Sequence, residues 1–231
     1  MPELPEVESI RRVLKNSLIN QKLQKYKIFD QRINRFNSVN PRKLGVLLEI
    51  NRKGKILQFN FKNNSIFFHL GMSGRLDLNG IKNKHTHGIF FFDKDVLLYD
   101  DIRKFGYIKI LKNDLANKQF SILGPDALSL SKIDKFFVMN KAKKSSTSIK
   151  KFLLNQKNIS GLGNIYVNEI LFLAGIHPHS VSFKLKDTNW NDIFSNTKKV
   201  LKKAIKNNGT TLSDMTYVLP QGVYGLSLIH I

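Results

Sequence analysis

At 231 residues, 42% hydrophobic and 24% charged, the chain has room for two modest domains and the composition of a folded globular protein. It has no cysteine, which excludes disulfides and thiolate metal sites, and no apolar run near the ~18 residues of a membrane span. Thirty-eight Lys and Arg against seventeen Asp and Glu leave a net charge of +21, which suits a polyanionic partner because each neutralised phosphate releases counterions. Compositional drift toward lysine accounts for part of that excess, since lysines outnumber arginines 30 to 8. The first residues are acidic where a secretory signal would be basic, so a cytoplasmic protein with no membrane partner is expected.

Residues 3–18 place Leu4, Val7, Leu14 and Leu18 at helical spacing, with Pro5 near the start, where a missing N–H costs little. From about 22 to 112 the pattern becomes short apolar runs such as Ile56 to Phe61, Ile66 to Phe68, Ile89 to Phe92, Val96 to Tyr99 and Tyr107 to Ile110. Turn-forming Asn, Gly and Asp separate them, so a sandwich or barrel is predicted. Gly124-Pro125-Asp126 closes this region. Amphipathic helices are then expected from Ile149, from Ile165 to Ala174, and from Trp190 to Ala204, where Gly209 stops the last. Lys198-Lys199 and Lys202-Lys203 read as a solvated face of that helix. Helix, then strands, then helices predicts an α+β chain of two domains.

Met1-Pro2-Glu3-Leu4-Pro5-Glu6-Val7-Glu8 is the most informative stretch. Its prolines and acids suit a capped helix start, which is the plain reading. A Met before a small residue is normally trimmed, however, and trimming would expose Pro2 as a free secondary amine. With an α-amino pKa near 8, about a tenth is unprotonated at neutral pH and able to attack an aldehyde-level carbon.

This opening continues into Lys53-Gly54-Lys55, His69-Leu70-Gly71-Met72-Ser73-Gly74, Lys84-His85-Thr86-His87 and Asp101-Ile102-Arg103-Lys104-Phe105-Gly106. Leu123-Gly124-Pro125, Gly161-Leu162-Gly163-Asn164-Ile165-Tyr166, Ala174-Gly175-Ile176-His177-Pro178 and Gly209-Thr210-Thr211-Leu212 follow. In that order the chain resembles the formamidopyrimidine-DNA glycosylase family over nearly its whole length. Leu4 and Val7 look more like this branch than the related endonuclease VIII branch. The resemblance implies an N-terminal helix and β-sandwich catalytic domain over 1–128, a linker over 129–148, and a helical domain with a helix–two-turn–helix element over 149–231.

It also implies the chemistry. The partner is damaged double-stranded DNA bearing an oxidised purine such as 8-oxoguanine or a formamidopyrimidine, and the enzyme is a monomeric bacterial glycosylase and abasic-site lyase acting at the nucleoid. The lesion is extruded from the stack at a cost of a few kcal/mol. Pro2 attacks C1′ and Glu3 supplies a proton to the opening sugar. Lys55 matches the lysine of elimination and phosphate contact. His69 and His85 match DNA-binding positions. Met72, Arg103 and Phe105 are similar to the trio that fills the void left by the lesion, by apolar wedging and contact with the orphaned base. Gly163 and Asn164 match the phosphate-binding turn, with Asn164 as cap and free helix N–H groups facing a phosphate. Lys144 and Lys150 are further DNA-contact positions, with Lys143 an alternative register for the first. Each has a plainer reading as a core, turn or solvated residue.

The family normally carries one structural zinc in a C-terminal finger with two Cys-x-x-Cys pairs. This chain has no cysteine and stops at residue 231, so no metal or cofactor and no zinc finger are expected. Thr216 to Gly225 looks like the start of a lesion-recognition loop, and Leu226 to Ile231 matches nothing expected there. The expectation is a truncated reading frame with a foreign tail, weak DNA affinity and impaired δ-elimination. The competing reading is a non-catalytic DNA-binding remnant, and a basic RNA-binding module is more distant.

Overall fold

The computed structural model describes residues 2–35, 44–210 and 217–223. Among the described residues helix α1 (Leu4–Leu18) comes first, and nine strands follow. They are β1 (Lys22–Ile28), β2 (Gly45–Val46), β3 (Glu49–Lys53), β4 (Ile56–Asn60), β5 (Asn64–His69), β6 (Gly74–Leu78), β7 (Thr86–Phe92), β8 (Val96–Asp101) and β9 (Tyr107–Lys112). They form two antiparallel sheets, ordered β2-β1-β7-β8-β6 and β3-β4-β5-β9. Between them Phe59, Phe68, Phe90 and Tyr99 pack in edge and offset contacts, a sandwich core. Strand β5 is buried along almost its whole length, which explains why its sequence is a continuous apolar run instead of an alternation.

The helical part holds α2 (Asn113–Ser121), α3 (Lys132–Lys143), α4 (Ile149–Leu154), α5 (Asn164–Leu173) and α6 (Asp187–Lys206). Trp190, Ile193, Phe194, Thr197, Leu201 and Ala204 form the buried stripe of α6, while Lys198, Lys199, Lys202 and Lys203 face solvent. The expected linker 129–148 contains α3, whose Val138 and Ala142 join the helical core. Its apolar Ile133, Phe136 and Phe137 lie on the exposed side, which blurs the helical period in the sequence.

Helix α1 belongs to both cores. Leu4 packs with the helices, whereas Val7, Ile10, Leu14 and Leu18 pack with the sheets, each burial stabilising by ~1.5–3 kcal/mol. A buried ion cluster closes the same seam: Arg52 reaches Glu8 at 3.2 Å and Asp126 at 2.7 Å, and the Gly54 N–H donates to Asp126 at 2.8 Å. Tyr217 and Leu219 return to the sandwich core, and the Leu78 N–H donates to the Pro220 carbonyl at 2.9 Å. The supposed tail, 226–231, lies outside the described residues.

Candidate active site and DNA-facing loops

The seam between the two cores is where the chemistry-bearing residues meet. Pro2 is buried immediately before the first turn of α1. Glu3 is fully buried, and its carboxylate accepts N–H bonds from Gly163 (2.7 Å), Ile165 (2.9 Å) and Tyr166 (3.4 Å). It therefore caps α5 from another part of the chain, at the positive end of that helix dipole. Burial pushes the Glu3 carboxyl above its ordinary value, although the Lys55 ammonium and the α5 amides pull the other way. A carboxyl raised in this way holds a proton more readily, as an acid catalyst must.

The Gly161-Leu162-Gly163 turn is shaped by this contact. Gly161 has φ +105 and its carbonyl accepts the Leu4 N–H at 3.1 Å; a Cβ there would lie 2.4 Å from Leu4 Cδ1. A Cβ on Gly163 would meet Glu3 Cδ at 2.4 Å and Lys55 Nζ at 2.6 Å. The glycine is thus required by close approach, and its lack of a side chain leaves room for Lys55 Nζ beside Glu3. Burial lowers the affinity of Lys55 for its proton, against the pull of Glu3 and Glu6. Two sequence expectations change here. Gly163, not Asn164, is the residue at the cap position, and Asn164 is the exposed first residue of the helix. The amides of Gly163, Ile165 and Tyr166 are not free for a phosphate, because Glu3 occupies them.

Sequence reasoning gave Glu6 no role beyond helix capping, yet it organises the site. Its carboxylate accepts the Glu3 N–H at 2.8 Å, the Thr210 N–H at 2.8 Å and a short bond from the Tyr166 hydroxyl. The Tyr217 hydroxyl donates to the Glu6 carbonyl at 3.4 Å. Burial raises the Glu6 carboxyl despite these donors. Glu6, Tyr166 and Thr210 are distant in sequence, so nothing local in the chain points to their contact.

Lys55 leads into β4, whose Ile56 pairs with His69 at the end of β5, so His69 stands at the same sheet end. Burial brings the His69 imidazole down to about 4, helped by the charges of Lys55 and Arg35 and opposed by Asp101. His69 Nδ1 accepts the Gly71 N–H at 3.2 Å and its ring stacks on Tyr107 at 5.1 Å. At neutral pH the ring is uncharged, with its proton on Nε2, so it offers a phosphate a hydrogen bond and no net charge.

The turn after His69 carries Met72, 37% exposed, and a neighbouring loop carries the exposed Arg103 and Phe105. The Arg103 guanidinium lies over the Phe105 ring at 4.9 Å. The two loops touch, since a Cβ on Gly71 would lie 2.6 Å from Gly106 N. His85 is half-buried at the entry to β7, and its carbonyl accepts the Asp101 N–H at 3.0 Å. Lys144 is exposed at the end of α3 and Lys150 half-buried in the first turn of α4. The structure thus joins Pro2, Glu3, Lys55 and Gly163 in one seam and Met72, Arg103 and Phe105 in one exposed wedge, with His69 between them. Lys144 and Lys150 belong to the separate α3–α4 region.

The chain is similar to known proteins over most of its length. Residues 1–108 match the formamidopyrimidine-DNA glycosylase N-terminal domain, and residues 123–216 the formamidopyrimidine-DNA glycosylase H2TH domain. The chain is 35% identical over 225 residues to the formamidopyrimidine-DNA glycosylase of Psychromonas ingrahamii, covering 93% of this chain and 82% of that one. It is 36% identical over 230 residues to that of Solibacter usitatus, covering 97% and 84%. Among solved structures it is similar to the Lactococcus lactis enzyme in complex with DNA containing an abasic site, at TM-score 0.82 and 31% identity over 91% of this chain and 81% of that one.

A β-sandwich followed by a helix–two-turn–helix domain, matched over most of its length to these enzymes, defines a base-excision-repair DNA glycosylase. The chain belongs to the formamidopyrimidine-DNA glycosylase family.

Proposed function

We propose that this DNA glycosylase and abasic-site lyase excises oxidised purines, 8-oxoguanine and formamidopyrimidines, from duplex DNA through the amine of Pro2. The observation that carries this reading is the Glu3 carboxyl, buried beside Pro2, held by the α5 amides and raised by its surroundings. After loss of Met1, the unprotonated Pro2 nitrogen bonds to C1′ of the extruded nucleotide as the bond from C1′ to the base breaks, and the proton that the nitrogen sheds goes to the departing base. Glu3 gives a proton to the ring oxygen, the C1′–O4′ bond opens, and an iminium joins Pro2 to the sugar. Loss of a C2′ proton expels the 3′ phosphate, and a second elimination expels the 5′ phosphate to leave a one-nucleotide gap. Lys55, against Gly163, supplies positive charge to a phosphate of this nucleotide. Met72 and Phe105 fill the vacated stack and Arg103 faces the orphaned base. His69, His85, Lys144, Lys150 and Asn164 contact the backbone. The protein acts as a monomer and needs no metal for the Pro2 chemistry.

Borohydride trapping on duplexes containing 8-oxoguanine, an abasic site or undamaged guanine tests this reading. A covalent adduct is expected on the first two substrates and absent in Pro2→Gly. Retarded but untrapped DNA on both damaged substrates would show a binding protein instead of an enzyme.

A further inference from the structure

The two void-filling loops are separate in sequence, yet one side chain holds both. Asp101, at the end of β8, is fully buried. Its Oδ1 accepts the Ser73 hydroxyl at 2.6 Å and the Arg103 N–H at 3.2 Å, and its Oδ2 accepts the Gly106 N–H at 2.8 Å. Ser73 Oγ itself accepts the Arg103 N–H at 2.9 Å. Ser73 follows Met72, while Arg103 and Gly106 bracket the other wedge, so a single carboxylate pins the base of both. The backbone of Asp101 adds a third attachment, donating to the His85 carbonyl at 3.0 Å and accepting from His87 Nε2 at 2.9 Å.

The surroundings show what this carboxylate works against. Lys104 lies in the left-handed region at φ +56, a conformation costly for a residue with a side chain, and its ammonium is tied to Asp30 at 2.8 Å. Gly71 packs so closely on Phe105 and Gly106 that no Cβ fits between the loops. Beyond these fixed bases, Met72, Arg103 and Phe105 stand exposed. Wedging is a concerted act: an apolar tip that yields as the duplex pushes back cannot hold a base step open. Charge-assisted bonds to a buried carboxylate are among the stronger means of making two loops move as one body.

We propose that Asp101 is a positioning residue that locks the Met72 turn and the Arg103–Phe105 loop into one rigid wedge, so that both enter the duplex together during lesion extrusion. This rests on the void-filling role proposed for those three residues. Asp101→Asn keeps the size of the side chain but sets an amide N–H₂ against the donors of Ser73, Arg103 or Gly106, which uncouples the loops.

The test compares two substrates. One is a duplex with 8-oxoguanine beside 2-aminopurine, whose fluorescence follows extrusion; the other is a single-stranded abasic oligonucleotide, which has no stack to fill. Asp101→Asn is expected to slow extrusion and base release on the duplex by about tenfold or more, the size of a lost bond to a charged group. Its borohydride trapping on the single strand stays at the parent rate. Ser73→Ala, a milder change, moves the duplex step in the same direction and serves if Asp101→Asn does not fold. Met72→Ala reports on the wedge itself: if it leaves duplex extrusion unchanged, the void-filling role fails. If Met72→Ala slows extrusion while Asp101→Asn and Ser73→Ala do not, or if the latter slow both substrates equally, the coupling role is overturned.

Discussion

The seam around Glu3 and the wedge around Phe105 both rest on a buried carboxylate that accepts several donors, yet they face opposite demands. At the seam the carboxyl is the group proposed to react: Glu3 is raised by burial, and its neighbours Lys55 and Glu6 shape its affinity for a proton. At the wedge the carboxylate of Asp101 is proposed as a fastener, and the groups proposed to enter the duplex are the exposed tips beyond it. The seam is formed by parts remote in sequence, Glu3 with Gly163 and Glu6 with Thr210, so it exists only when both cores are docked. The wedge is built within the sandwich alone. The proposed bond-breaking and base delivery therefore rest on separate parts of this fold, and substitutions can divide them.

The largest expected effect falls on the seam. Glu3→Gln keeps the shape of the side chain but removes the transferable proton, and single-turnover formation of the borohydride-trappable iminium should fall by about 10²–10⁴-fold with DNA affinity retained. Parent-like trapping by Glu3→Gln would assign the ring-opening proton to another group.

Next comes the docking of the two cores. Arg52 is the buried partner of Glu8 and Asp126, with only 6% of its side chain exposed. Arg52→Met leaves two carboxylates facing each other across the seam and should destabilise by about 3–5 kcal/mol, read as a lower denaturation midpoint. Burial pushes the Glu8 carboxyl up, but Arg11, Arg12 and Arg52 outweigh it and hold it at about 2, below the ordinary 4.5. The stabilisation from Glu8 is thus complete above pH ~4.5 and is lost as pH falls toward ~2. That acid-side loss should shrink in Arg52→Met, and an unchanged slope of stability against pH would show that Arg52 does not act on Glu8.

The smallest effect concerns His69, which lies between the two regions. Because its ring is neutral until about pH 4, His69→Gln should leave the salt dependence of DNA binding at pH 7 unchanged. Lys150→Ala, in contrast, should reduce the slope of log affinity against log salt by about 0.9 if that lysine neutralises one phosphate. A shallower slope in His69→Gln would mean that DNA charges the ring.

Much of this was readable in the chain. Helical spacing in residues 3–18 and 190–204 gave α1 and α6, and the apolar runs gave the sandwich strands, because each side chain there answers to one buried face. Pro2, Glu3 and Lys55 stood out through their motifs. What was not readable depends on contacts between distant segments. The Gly161–Gly163 turn looked like an open phosphate site because nothing local says that Glu3, some 160 residues away, fills it. Helix α3 was missed since its apolar residues lie partly on the solvent side. Asp101 read as the first letter of a motif; its three donors come from two loops that the sequence does not place side by side.

The central claim is that the amine of Pro2 forms the bond to the sugar. Borohydride reduction of the parent protein on abasic duplex DNA, followed by mass spectrometry of its peptides, reads this directly. The account predicts Met1 absent and the sugar remnant on the Pro2 nitrogen. A remnant on Lys55, or on any other amine with Pro2 unmodified, would contradict it.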